Sequence, residues 1–412
     1  MPPKHRLLWS VCIGHLTNDV FTSMVPVILT FLAAGMLPMS NAQIGLAVSL
    51  SQLFGAFTQP FFGILADRSG GRWIGSLGLA FHVCMFTISI LLAAMTRQYW
   101  LMFVPLVIAT VGSGALHPVG ALHAAESVPR RSAFNMAIFF LMGQTGLALG
   151  PAIAGILLDL ANPDLLGRLG QTVGLSYFGV QDNLTPIIVL GLAAIPGVLL
   201  MSTSIPKHHE HHQQRKQRQD DPANGKNQHF PVLAFIILGL IVVLRGVGQQ
   251  GSVSFVPVLF EQKGWAPAAY GTITTAYWIA SAVSGLVFGR LADRFDRRVI
   301  MMLSMLSSAP AFYLLPAYEG PVAFMLAIAA GGLSGGAHSL IVVMAQDLIP
   351  MRKGFASGAI LGFIFGTGAI GTLIIGAVSD YIGLATTFQI VALIIAVAGI
   401  FSMLLPRQSQ ET

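Results

Sequence analysis

Charge is what this chain has least of. Only 9% of its 412 residues are Asp, Glu, Lys or Arg, against about 25% in water-soluble domains, so it cannot cover itself with a water-facing surface. Cysteine is nearly absent as well. Cys12 and Cys84 both lie inside apolar stretches and outside any CxxC or His/Cys ligand spacing. That excludes a disulfide framework and leaves no zinc motif; both are expected to be buried, inert thiols. No HExxH motif occurs, so the commonest readable signature of a metallohydrolase is missing.

What the chain has instead is apolar length. Over half of its residues are hydrophobic, mean hydropathy is +0.74, and runs of about 20 apolar residues recur from end to end, each enough to cross a hydrocarbon layer of about 30 Å. The expected architecture is an all-α polytopic membrane protein. Its spans are predicted at 8–33, 42–66, 74–95, 100–125, 132–158, 186–205, 231–260, 268–292, 299–317, 320–346, 353–379 and 384–405. Residues 1–205 then form a first six-helix bundle, 206–230 a linker and 231–412 a second bundle. The net charge of +6 is a topology signal and not a nucleic-acid footprint, because nearly all Lys and Arg sit in connecting loops. Lys4, Arg6, Arg68, Arg72, Arg130, Arg131, Arg290, Arg294, Arg298, Arg352 and Arg407 share one side with the linker, while Arg97, Arg168 and Lys263 stand nearly alone on the other. The positive-inside rule makes the first side cytoplasmic and places both termini there, in a cytoplasmic membrane. The first apolar run is too long for a cleaved signal and reads as a retained span.

The two halves repeat. GILADRSGGR, Gly63 to Arg72, returns as GRLADRFDRR, Gly289 to Arg298; SMVPVI at Ser23 returns as SFVPVL at Ser254. Glu126, Pro129 and Arg131 recur as Asp347, Pro350 and Arg352, His117 as His338, and Gly155 with Asp159 as Gly376 with Asp380. Self-similarity of this kind marks an internal duplication. The charged turn, used twice, resembles the signature loop of the major facilitator superfamily. The resemblance implies twelve spans in two pseudo-symmetric bundles and a cytoplasmic gate built from Gly63, Asp67, Arg68, Arg72, Gly289, Asp293, Arg294 and Arg298. Glu126, Arg131, Asp347 and Arg352, at the neighbouring span ends, are expected to complete that gate.

Ionisable groups at mid-membrane depth are costly and therefore functional candidates. In the first span His15 and Asp19 lie four residues apart on one face beside Asn18, and Asp19 is about 18 Å along the helix, near the bilayer centre. In the seventh span Arg245 lies at similar depth with Gln249 on its face, and the repeat pairs Asn18 and Asp19 with Gln249 and Gln250. The functional reading is that Arg245 receives an anionic group of the cargo while Asp19 takes up a proton; the alternative is a structural ion pair between the two. In the fourth span His117 precedes Pro118, where the ring frees a backbone carbonyl, and is read as binding cargo or relaying protons with its mate His338. His82 and His123 default to structural roles. The polar linker, with His208, His209, His211 and His212 around Glu210, reads as a tether drawn to the lipid surface; a metal-binding tract is the alternative.

GHLTND in the first span and GSGALHP in the fourth, with the ADR turn, narrow the likeness. The chain resembles the fosmidomycin-resistance branch of the superfamily, proton-driven exporters of small antibiotics. GLALGPAIAG, with Gly146, Gly150, Pro151 and Gly155, is similar to the antiporter motif of the superfamily, and the second half has Thr372 in place of the proline. The expectation is therefore a proton-coupled antiporter, not an enzyme. It should work as a monomer in the lipid bilayer, exporting a small organic molecule with the proton as coupling ion, no resident cofactor and no metal. An uptake symporter for a small acid or sugar is the nearer alternative, a non-transporting membrane receptor the farther one.

Overall fold

The structure, a computed structural model, describes residues 4–69, 71–127, 131–159, 184–206, 232–292, 294–348 and 353–407. These form helices in the order α1 (Lys4–Gly35), α2 (Asn41–Ser69), α3 (Arg72–Thr96), α4 (Tyr99–Ser127), α5 (Ser132–Asp159), α6 (Thr185–Leu190) and α7 (Ala194–Ser204). After the linker come α8 (Val232–Arg245), α9 (Val256–Glu261), α10 (Pro267–Ala292), α11 (Arg297–Leu314), α12 (Gly320–Leu348), α13 (Lys353–Ile382) and α14 (Leu384–Phe401). No strand occurs among the described residues. Helices are what a lipid environment demands, since only they satisfy every backbone group within one segment.

Eleven described stretches are long and apolar enough to cross a membrane. The second predicted span, α2, is a helix of 29 residues but falls outside that set because Gln43, Ser49, Ser51, Gln52 and Gln59 dilute it. The predicted sixth span is one path made of α6, a 3-10 turn and α7; the predicted seventh is interrupted, as described below. The His-rich linker and the loop after Asp159 fall outside the described residues. One expectation fails: Cys12 is buried, but Cys84 is exposed on the outer face of α3, where an apolar thiol meets lipid as readily as core.

The chain resolves into two compact units. One comprises Met1–Met39, Leu50–Gln219 and Phe260–Thr272; the other comprises Ser40–Ser49, Asp220–Leu259 and Ile273–Thr412. In the first, α1 packs along α5 and α4, and α3 along α4 and α7. Glycines carry these contacts. A Cβ on Gly78 would stand 2.8 Å from the Gly112 carbonyl, and one on Gly114 2.7 Å from that of Gly55, so the glycines of α4 admit backbones that no larger residue would.

In the second unit, α11 packs on α14 and α12, and α13 lies along the segment that follows α8. Asp380, near the end of α13, accepts hydrogen bonds from Asn41 N at 2.8 Å and Ala42 N at 2.9 Å. It thus places a carboxylate on the positive end of α2. Gly376 and Gly45 give the close approach this needs, a Cβ on Gly45 standing 2.9 Å from the Thr372 carbonyl.

Candidate functional site

In the first unit α1 and α4 bring His15, Asp19 and His117 together. His15 and Asp19 share a face because they are one helical turn apart; His15 Nε2 lies 3.2 Å from Asp19 Oδ2. His117, one helix away, points its Nε2 to Asp19 Oδ1 at 3.5 Å, and the two imidazoles meet edge to face with centroids 4.9 Å apart. Asp19 is 6% exposed and His15 4%.

Both rings are aimed by the main chain. His15 Nδ1 lies 2.9 Å from the Phe139 carbonyl and His117 Nδ1 2.8 Å from the Ser113 carbonyl. A carbonyl only accepts, so each Nδ1 carries a proton and each Nε2 is left to face the carboxylate. A buried carboxylate opposed by two Nε2 atoms requires a cation between them, whether protons on the rings or another positive species. Asn18 Nδ2 donates to Asp19 Oδ1 and to Ser113 Oγ, both at 2.9 Å. The ring of Phe139 stacks on His15 at 4.0 Å.

Ser113, Phe139 and Gly143 belong to this site and were not singled out from sequence. Gly143 on α5 is the most telling, because a Cβ there would stand 2.5 Å from His15 Nε2 and 2.8 Å from Asp19 Oδ2. Its lack of a side chain lets the pair pack directly against α5, where a Cβ would displace them. Gly143→Ala is expected to cut pH-driven transport about tenfold, a cost of about 1.4 kcal/mol, with yield and gel-filtration profile unchanged. Wild-type rates would show that the placement of His15 and Asp19 against α5 does not matter for transport.

The antiporter-like motif lies directly beyond. A Cβ on Gly146 would meet the Leu16 carbonyl at 2.5 Å and Asp19 Cβ at 3.0 Å. Gly150 faces Val20 and Ser23, and Gly155 faces Pro267 at the start of α10. What these residues do in the structure is close helix packing, with Gly146 and Gly150 laid against the stretch of α1 that holds Asp19.

In the second unit the polar group is built around Arg245. It is 5% exposed, and its Nε is buried with no hydrogen-bond partner. The helix does not continue past it. Gly246–Gly251 is a π-helical segment, an irregularity that costs regular hydrogen bonding and recurs at functional sites. Its glycines let it press on α13: a Cβ on Gly251 would stand 2.9 Å from Gly371 C, and one on Gly368 2.5 Å from Gln250 Cγ. Gln249 is buried in this segment. Tyr277, on α10, is fully buried, and its hydroxyl, beside Gln249 and Ser334, closes a hydrogen bond with neither. His338 is half-buried on α12, within reach of the Arg245 charge. Within the first unit Asp19 is held by histidines, and within the second the buried Arg245 Nε has no hydrogen-bond partner.

Gly332–Gly336 spells GxSxG but lies in mid-helix, and Ser334 donates to the Ala330 carbonyl at 2.6 Å, so no nucleophile elbow is formed. His82 Nδ1 is tied to the Ala109 carbonyl at 3.1 Å, and His123 Nδ1 lies 3.9 Å from Glu126 Oε2.

At the two charged turns, the side chain of Asp67, all of Asp293, the side chain of Asp347 and all of Arg352 fall outside the described residues. Arg68, Arg131 and Arg294 are exposed, Gly289 faces open space, and a Cβ on Gly63 would make ordinary contact with Pro118 at 3.6 Å. The last arginine of each turn closes its own half. Arg72 Nη2 donates to the Thr203 carbonyl at the end of α7 at 3.3 Å, and Arg298 Nη1 to the Leu405 carbonyl just past α14 at 3.0 Å. Each puts a cation on a helix C-terminus. Asp296, which caps α11 by accepting from Arg298 N at 3.0 Å, also holds the Arg298 guanidinium at 2.7 Å; that hydrogen bond keeps its carboxyl below the usual range.

The sequence profile described as the Major Facilitator Superfamily matches residues 11–237 and again 238–412. The fosmidomycin resistance protein of Escherichia coli (strain K12) is 24% identical over 97% of this chain and 92% of its own length. The multidrug resistance protein MdtG of Salmonella typhi is 22% identical over 76% of this chain and 73% of its own. A bacterial homolog of the human lysosomal transporter Spinster, solved inward-facing and occupied, superposes with a TM-score of 0.81 at 15% identity, covering 100% of this chain and 99% of that one. A D-xylose-proton symporter reaches 0.69 at 13% identity, with 97% of both chains covered.

Proposed function

The chain belongs to the major facilitator superfamily and is a multi-pass membrane transporter, not an enzyme; from that premise we propose that it is a proton-coupled antiporter exporting a small organic compound. The observation that carries this is the Asp19 cluster, a buried carboxylate flanked by two Nε2 atoms that must share a cation. Such a group in a membrane span is where a coupling proton is taken up and released. The second polar centre, Arg245 with Gln249, Tyr277 and His338, meets the cargo, as symmetry-related midplane groups do in transporters built from repeats. Alternating access lets proton and cargo occupy these centres in turn. Relatives named for resistance to fosmidomycin and to multiple drugs favour export of an antibiotic-like molecule. The excess of Lys and Arg in the loops on one side supports a reading with both termini on the cytoplasmic side of a plasma membrane, and the proposed working unit is a monomer.

The test is reconstitution in liposomes under an imposed pH gradient, following lumenal pH while anionic and neutral antibiotics, fosmidomycin among them, are added to one side. Proton movement opposite to cargo is the expected result. Movement in the same direction would make the protein a symporter and overturn export. Total indifference of lumenal pH to every compound would overturn the coupling.

A further inference from the structure

The geometry points to His15, Asp19 and His117 as a binding site for a divalent transition metal of the zinc class, taken up in place of the protons. This rests on the reading above of the cluster as a seat for exchangeable cations. The three ligand atoms lie within 4.8 Å of one another. Metal bonds of about 2.0–2.2 Å to nitrogen and oxygen put tetrahedral neighbours about 3.3 Å apart. His15 Nε2 lies 3.2 Å from Asp19 Oδ2 and His117 Nε2 3.5 Å from Asp19 Oδ1, so each imidazole already stands about that far from one carboxylate oxygen. Four-coordinate binding needs the carboxylate to turn one oxygen toward both rings and the two imidazoles to draw together.

Orientation supports the same reading. Metal-bound histidine characteristically donates its other ring N–H to a carbonyl, which fixes the tautomer and the ring plane. Both histidines do this, to Phe139 and Ser113. Gly143 lets α5 pack directly against Nε2 and Oδ2, so any side chain there would push the pair out of its present geometry. Two imidazoles and one carboxylate suit zinc, cobalt or nickel and not magnesium or calcium, which take all-oxygen sets. The metal would take the same two Nε2 lone pairs that face the carboxylate and that a proton would otherwise take. The fourth position stays open to water or to a cargo oxygen. Metal and coupling protons therefore exclude each other, and the metal is expected to slow proton-driven transport.

Cobalt(II) is the probe, because a four-coordinate site absorbs strongly in the visible. The full-length protein is purified without a polyhistidine tag, with His208, His209, His211 and His212 all replaced by Ala to silence the linker. The expected result is one Co²⁺ per chain with tetrahedral absorption, unchanged in His123→Ala and absent in His117→Ala. Where His117→Ala fails to fold, His117→Cys decides: binding returns with an added sulfur-to-cobalt band in the near ultraviolet. Absorption that survives His117→Ala, or is missing from both the parent and His117→Cys, overturns the site. Failure here is distinct from failure of the coupling scheme. Intact pH-driven transport without cobalt binding sinks the metal site alone, and cobalt binding in a protein indifferent to pH gradients sinks proton coupling alone.

Discussion

Asp19→Asn is expected to bring pH-driven transport down to leak while equilibrium exchange of cargo across the same liposomes continues. The carboxylate is the one atom group on which His15, His117 and Asn18 all converge. An amide keeps the shape but not the charge. It leaves no anion to draw protons onto the two Nε2 atoms, so the cluster no longer changes occupancy when the gradient is applied. Hydrogen bonds to a charged group are worth about 1.5–3 kcal/mol, or roughly 10- to 100-fold in occupancy. Export against a gradient should fall by that factor or more. Exchange, which needs no net proton, should fall far less. The measurement is paired: active transport and zero-gradient exchange from one reconstituted batch. Equal loss of both would make Asp19 a structural residue; undiminished active transport would remove it from the mechanism. Asp19→Glu, which restores charge at the cost of reach, should recover part of the coupling.

How much of this was readable beforehand depended on whether the information was local. The spans were, because an apolar run long enough to cross lipid is visible as a run; even α2, diluted by Gln and Ser, was readable at 42–66 and forms a helix over Asn41–Ser69. His15 and Asp19 were readable because one helical turn fixes their common face. That His117 completes their cluster was not, since the rotation of α4 about its axis is set by Gly78 against Gly112 and by Gly55 against Gly114. Gly143 was hidden among many glycines with packing roles. The π-helical segment after Arg245 was invisible because GVGQQG is compatible with an ordinary helix, and its close fit against Gly368 and Gly371 joins residues more than a hundred positions apart. The repeat gave the latch arginines their symmetry but not their partners: Arg72 and Arg298 bind carbonyls of Thr203 and Leu405, backbone atoms that no side-chain motif advertises.

Arg245→Ala should separate cargo by charge. A guanidinium that is 5% exposed with a partnerless Nε is an expensive thing to bury, because a cation removed from water without compensation costs several kcal/mol. Removing it therefore relieves the fold, and the variant should melt no lower than the parent. Structural ion pairs behave in the opposite way, since deleting one partner strands the other. For transport the expected loss is specific. A cargo carrying a carboxylate or phosphonate loses a charge-assisted hydrogen bond of about 1.5–3 kcal/mol, so its apparent affinity drops roughly 10- to 100-fold. A neutral cargo of similar size, held by apolar contacts and by Gln249 and Tyr277, should shift by less than about threefold, under 0.7 kcal/mol. Lysine at the position should restore charge selectivity in part, for it keeps the cation but not the fork. Equal losses for both cargo classes, with a lower melting temperature, would show that Arg245 holds the bundle together and does not read the cargo.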